Sequence, residues 1–278
     1  MAPSDHIVEL RPDVREHTII GAGLLAGAAN VIMQLALPAV GYGVVESRVD
    51  SGNVFRHPVK RTRTTLTYLV VAMLGTDEER GAYRRAVNRQ HAQVYSTESS
   101  PVRYSAFDPE LQLWVAACLY RGVEDIYRVF GGPTGPDDLE RVYSASAALG
   151  TTLQVRPEMW PAERATFERY WNDTLDRIHI DDTVRTYLYD IATLRMFPRP
   201  VSRLLGPFHR FVTTGFLPAR FRAEMRLDWS PRQQRRFDLL MRMIAVVATR
   251  LPRMLREFPY NVCLWDLRRR LRTGRPLV

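Results

Sequence analysis

From Ile19 to Val45 the chain carries no charged residue, and this narrows the folds open to it. So long an uncharged stretch has to leave water, either in lipid or inside a helical core. Its length would span a bilayer, but its content is only mildly apolar. It holds five glycines, many alanines, Asn30, Gln34 and a mid-segment Pro38. The pattern predicts a buried pair of helical pieces broken at Pro38, small-sided so that a flat group can approach. Gly23 and Gly27 form a GxxxG pair that permits close helix packing. Glu46 ends the segment, either as a solvated helix-end residue or as an acid/base group near a pocket.

The remaining chain has helical periodicity and no sustained alternation of β-branched residues, so strands should be few. Asp108 and Pro109 open a helix that is apolar along Leu111, Trp114, Val115, Cys118, Leu119 and Val123. The Gly131–Pro136 run ends it as a loop. Further helices are predicted over about 137–149, from Pro161, over about 183–194, and from Ser230. Proline-rich loops are expected around Pro198, Pro200 and Pro207. The fold class is therefore all-α. The 278 residues form a single domain, with residues 1–18 as an N-terminal arm too mixed in charge to begin a secretory signal. Cys118 and Cys263 sit in apolar helical runs and read as reduced core residues.

Chemistry concentrates between His57 and His91. Arg61 and Thr65 are one helical turn apart on one face. Gly75 ends that helix. Thr76 caps the next, and Asp77 and Glu78 favour its positive N-terminal end. The short link makes the two helices antiparallel neighbours, with Ala82, Ala86 and Val87 on the apolar side of the second. His91 follows on it, without Cys, Asp or Glu partners at helical spacing, so it is not a zinc site. Two readings stay open for it: an interface histidine among arginines, or the single protein ligand of a haem iron.

Four ordered stretches settle on a resemblance. Gln34, Ala36, Pro38, Gly43, Val44 and Glu46 form the first; Pro58, Arg61 and Thr65 the second. Gly75, Asp77, His91 and Val94 form the third. The fourth is Tyr104, Ser105, Ala106, Asp108, Pro109, Glu110, Leu111, Trp114 and Val115. Together they resemble the MpaB / latex clearing protein (rubber oxygenase) family, densely from Gln34 to Tyr120 and diffusely afterwards. The resemblance implies a globin-like helical domain holding haem b. His91 would be the ligand of the iron, and Arg61 and Thr65 the polar pocket residues. It implies an oxygenase that uses dioxygen to cleave a carbon–carbon double bond of an apolar isoprenoid or lipid-derived substrate. No Cys-x-x-Cys-His sequence occurs, so the haem would be held non-covalently. Thr64 stands where rubber-cleaving members carry a lysine, Leu37 where many relatives have histidine, and Ala116 likewise. These departures bear on the substrate more than on haem binding.

Charge is unevenly placed. From Ala219 to Val278 there are 15 arginines and 5 acidic residues, more than the whole chain's net charge of +9. No nucleic-acid-binding module accompanies them. Beside Leu239, Leu240, Met243, Ile244 and Val247 they suit peripheral contact with an anionic membrane, the chain otherwise being cytoplasmic. The rival readings are a haem peroxidase or sensor, and a helical membrane-associated binding protein without cofactor.

Overall fold

The computed structural model describes residues 19–131 and 135–278; the expected N-terminal arm and the centre of the glycine–proline loop lie outside them. The uncharged segment folds as two pieces. A 3-10 turn, Gly21–Ala26, runs into α1 (Gly27–Leu35), and α2 (Pro38–Val45) leaves it at 110° with Pro38 at its start. Ile32, Met33, Leu35 and Ala36 are all at most 3% exposed. No single helix among the described residues is long and apolar enough to cross a membrane. The polar residues that made the segment a poor lipid span are spent inside the protein. Asn30 Nδ2 donates to the Cys118 carbonyl at 2.6 Å, Gln34 Nε2 to Asn30 Oδ1 at 2.6 Å, and Trp114 Nε1 to the Gln34 carbonyl at 3.0 Å. These bonds lock α1 to the long central helix. Of the GxxxG pair only Gly23 makes a close approach: a Cβ there would come 2.7 Å from Ile126, whereas Gly27 faces open space.

After a short 3-10 turn the chain forms α3 (Pro58–Leu74) and α4 (Asp77–His91), then the central α5 (Pro109–Phe130). Around α5 follow α6 (Pro136–Ser146), α7 (Ala148–Thr151), α8 (Arg164–Leu175) and α9 (Asp182–Ala192). The last third is α10 (Arg199–Phe216), α11 (Ala219–Glu224), α12 (Pro231–Arg250), α13 (Arg253–Arg256) and α14 (Tyr260–Thr273). The described residues contain no strand; an isolated bridge pairs Tyr95 with Ser105. Both cysteines are free and buried, as expected.

Two predicted boundaries move. The helix over 137–149 breaks into α6 and α7, and α8 begins at Arg164 rather than Pro161. The larger correction is the proline-rich stretch, which is not a loop but α10. Pro198 caps it and Pro200 occupies its first turn, where a missing N–H costs nothing, while Pro207 lies inside it.

Two hydrophobic clusters meet at α3. The main one gathers α1, α5 and α8–α12 around Trp114, Phe167 and Trp171. The second joins Leu66, Val70 and Val71 of α3 and Tyr83 of α4 to Tyr260, Leu264 and Leu267 of α14. Tyr68, Leu69 and Met73 pack against both. The helix that carries Arg61 and Thr65 is thus clamped from two sides.

Candidate functional site

Local chemistry fixes α4 before tertiary contacts act. Thr76 Oγ1 accepts from the Glu79 amide at 3.2 Å, and Glu79 Oε2 accepts from the Thr76 amide at 3.0 Å, a complete capping box. Glu79 also accepts from Arg268 Nε of α14 at 2.7 Å. Sequence reading credited only Asp77 and Glu78 here, although Thr-x-x-Glu was the available signal. At its other end α4 is held by a chain of amides. Gln154 Nε2 donates to Asn88 Oδ1 at 3.0 Å, and Gln112 Nε2 donates to Gln154 Oε1 at 2.8 Å and to the Ala106 carbonyl at 2.6 Å.

His91 closes α4. Its Nδ1 is buried with no hydrogen-bond partner among the described residues, and the Phe107 ring stands edge-on to it at 6.4 Å between centroids. Burial, and after it the Arg61 charge, lower its pKa from 6.5 to about 4. Arg61 therefore lies within electrostatic reach of His91. Arg61 keeps open surface, yet loss of hydration lowers its pKa, with Tyr187 and Tyr83 acting weakly the other way.

Thr65 is open on the same turn. Its Oγ1 donates to the Arg61 carbonyl at 3.0 Å, as does Thr64 Oγ1, also at 3.0 Å. Tyr83 donates to the Thr64 carbonyl at 2.6 Å, pinning the strand of α3 backbone between the two site residues. Burial raises the Tyr83 and Tyr68 hydroxyl pKa values, so both stay neutral donors. Neither tyrosine was foreseen, because each looks like an ordinary apolar position in its helix.

Glu46 sits elsewhere. Its Oε2 accepts from Ser100 Oγ and from Tyr104 Oη, both at 2.7 Å. With Arg48, Gln93, Val94 and Tyr95 it lines a polar cavity of about 240 Å³. Burial, then the bond to Glu46, raises the Tyr104 pKa. The cavity adjoins the chain just after His91, but Glu46 is not among the groups acting on the His91 ring. Among the described residues no three His, Cys, Asp or Glu side chains gather to hold a metal by themselves.

Residues 14–246 match the family model described as the catalytic domain of the ER-bound oxygenase mpaB/B′ and rubber oxygenase. The chain belongs to this family. It is also similar to proteins described as uncharacterised in Mycobacterium tuberculosis and Mycobacterium bovis. Each is 51% identical over 255 residues, which cover 92% of this chain and all of the relative. No solved structure matches it significantly. The family is one of oxygenases, and all four residues singled out from sequence, Glu46, Arg61, Thr65 and His91, fall within the matched span. α14, which packs on α3 and α4, lies beyond it.

Proposed function

We propose that this family member is a haem b-dependent oxygenase that acts with dioxygen on an apolar, isoprenoid or lipid-derived substrate. The observation that carries the reading is the pairing of His91 and Arg61: a buried imidazole nitrogen without a partner beside a desolvated cation. Among the described residues neither has a compensating side-chain partner. A macrocycle with a central metal and carboxylate side groups answers both at once. When bound, the haem iron supplies the dioxygen-activating chemistry, which no amino-acid side chain provides.

The chain's own residues have distinct parts. With a pKa of about 4, His91 is neutral at physiological pH and offers a nitrogen lone pair, the form a metal requires. Phe107 limits the tilt of its ring, and the Asn88–Gln154–Gln112 amides hold the helix end from which it projects. Arg61 stays protonated and is assigned to the carboxylates of the haem, where ion pairing offsets its lost hydration. Thr65 spends its hydroxyl proton on the Arg61 carbonyl, which leaves its oxygen as an acceptor for a bound ligand. Glu46, with its carboxylate engaged by Ser100 and Tyr104, is assigned to tying the loop after His91 to α2 rather than to acid/base chemistry. The name rubber oxygenase in the matched family supports an isoprenoid-like substrate. Thr64, in place of a lysine, sets this chain apart from the rubber-cleaving members.

Protein expressed with haem supply should show a Soret band and release haem b to acidic organic solvent. His91→Ala should lose the band while helical circular dichroism persists. His57→Ala and His179→Ala should keep it, because His57 is engaged with Asp50 at 2.8 Å and the His179 side chain is 70% exposed beside Glu224. Well-folded but colourless wild-type protein under haem-replete conditions would overturn the assignment.

A further inference from the structure

The first half of α10 is inverted. Toward the protein it presents small and polar groups: Ser202 Oγ donates to the Thr193 carbonyl at 3.2 Å, His209 Nδ1 lies 2.8 Å from the Ala192 carbonyl oxygen, and Gly206 is buried. Toward solvent it presents an apolar stripe of period 3.6. The stripe begins just ahead of the helix with Phe197 (39% exposed) and continues through Val201 (38%), Leu204 (78%), Leu205 (47%) and Phe208 (48%).

α12 is apolar on both sides. Phe237, Met241 and Ala248 face the core, whereas Leu239, Met243, Val246 and Val247, again at helical spacing, are between 53% and 63% exposed. Met254, Leu255 and Phe258 around α13 are between 57% and 78% exposed. All three helices pack against the Gly21–Ala26 turn and are therefore neighbours in the fold.

Their charge is predominantly positive. From Ile191 to Ala223 there is no acidic residue, while Arg195, Arg199, Arg203, Arg210, Arg220 and Arg222 all occur there. α12 carries five arginines against Asp238 alone. Long arginine stems lie along apolar surface and carry the guanidinium outward, where it pairs with phosphate through two parallel bonds. The same charge argues against a second copy of the chain as occupant, since a two-fold contact would bring like arginines together.

We propose that this face docks on an anionic phospholipid bilayer. The α10 stripe enters the interfacial layer, Met243 and Val247 of α12 and Met254 of α13 enter beside it, and the arginines take the headgroup phosphates. Sequence reading put membrane contact on the C-terminal basic region alone. The structure turns Leu240 and Ile244 of that region inward and adds α10 as the leading element. The proposal is independent of the cofactor assignment, because its readout is vesicle binding.

The test is co-sedimentation of the full chain with vesicles of phosphatidylcholine alone and of phosphatidylcholine with phosphatidylglycerol. The expected result is binding to the anionic vesicles that weakens with salt and falls roughly ten-fold or more in Leu204→Glu/Phe208→Glu, each change removing buried apolar area. These side chains are largely exposed, so circular dichroism and thermal unfolding of the variant should match wild type. Met243→Glu/Val247→Glu, on a different helix, should weaken binding in the same direction. Failure of wild type to bind anionic vesicles, equal binding to both compositions, or binding unchanged in both variants would overturn the proposal. So would a wild-type dimer that the variants dissociate, which would make this face an interface between copies.

Discussion

A histidine that is largely buried takes up its proton at a cost in lost hydration, and His91 must do so beside the fixed charge of Arg61. Its pKa falls from 6.5 to about 4 for those two reasons, burial first. Between the two values the unfolded chain binds a proton that the folded chain does not. Stability from this group is therefore fully present above the unfolded value and is lost as pH falls toward the folded one. In the cofactor-free protein the loss should reach roughly 2–3 kcal/mol between neutral pH and about pH 4. Urea titrations of wild type and His91→Gln across that window isolate the effect, since other carboxylates titrate in both. Parallel pH profiles for the two proteins would show that His91 carries no such penalty. Bound haem should steepen the acid loss, because protonation then also removes the ligand lone pair.

At the scale of the element, the corner between α1 and α2 shows how small residues decide a bend. A Cβ at Gly41 would lie 2.7 Å from the Leu35 carbonyl oxygen, a backbone atom with nowhere to move. Gly41→Ala should therefore cost about 1–3 kcal/mol, the usual penalty of forced overpacking. Gly27 has helical angles of φ −58° and ψ −47° and open space around it. Gly27→Ala should leave stability unchanged or raise it by up to about 1 kcal/mol, as expected for alanine over glycine in a helix. Denaturation midpoints of the two variants distinguish them, although both positions belong to the same uncharged run.

Across the whole molecule, the helix furthest along the chain supports the site nearest its beginning. α14 packs along α3, and its side chains reinforce the contact: Arg63 meets Asp266 at 3.1 Å, and Arg268 meets Glu79 at 2.7 Å. These partly exposed pairs add little by themselves; the weight is carried by Tyr260, Leu264 and Leu267. Leu267 is 1% exposed, so Leu267→Ala should destabilise the protein by about 2–5 kcal/mol, the range for a cavity in a packed core. It should also reduce haem retention, because α3 loses its outer support while Arg61 and Thr65 remain intact. Arg268→Ala, by contrast, should move the unfolding midpoint little. If Leu267→Ala proved as mild as Arg268→Ala, α14 would be an appendage and not part of the site's frame.

The sequence by itself determined the helical class, most helix starts and the broken uncharged segment, because these follow from local rules: periodicity, capping residues and proline's missing N–H. It also placed Arg61 and Thr65 one turn apart on one helix and His91 on the next, across a short link. What it could not display was decided by contacts between residues far apart. The stretch around Pro207 is helical because it packs on the end of α9, where the Ser202 and His209 side chains meet the Thr193 and Ala192 carbonyls. Glu46 was drawn toward Ser100 and Tyr104, more than fifty positions away, and not toward His91. The partnerless His91 nitrogen and the outward apolar stripe of α10 are likewise facts of packing. Apolar spacing along a helix states which residues share a face, but only the neighbours that fold against it decide whether that face meets the core or the solvent.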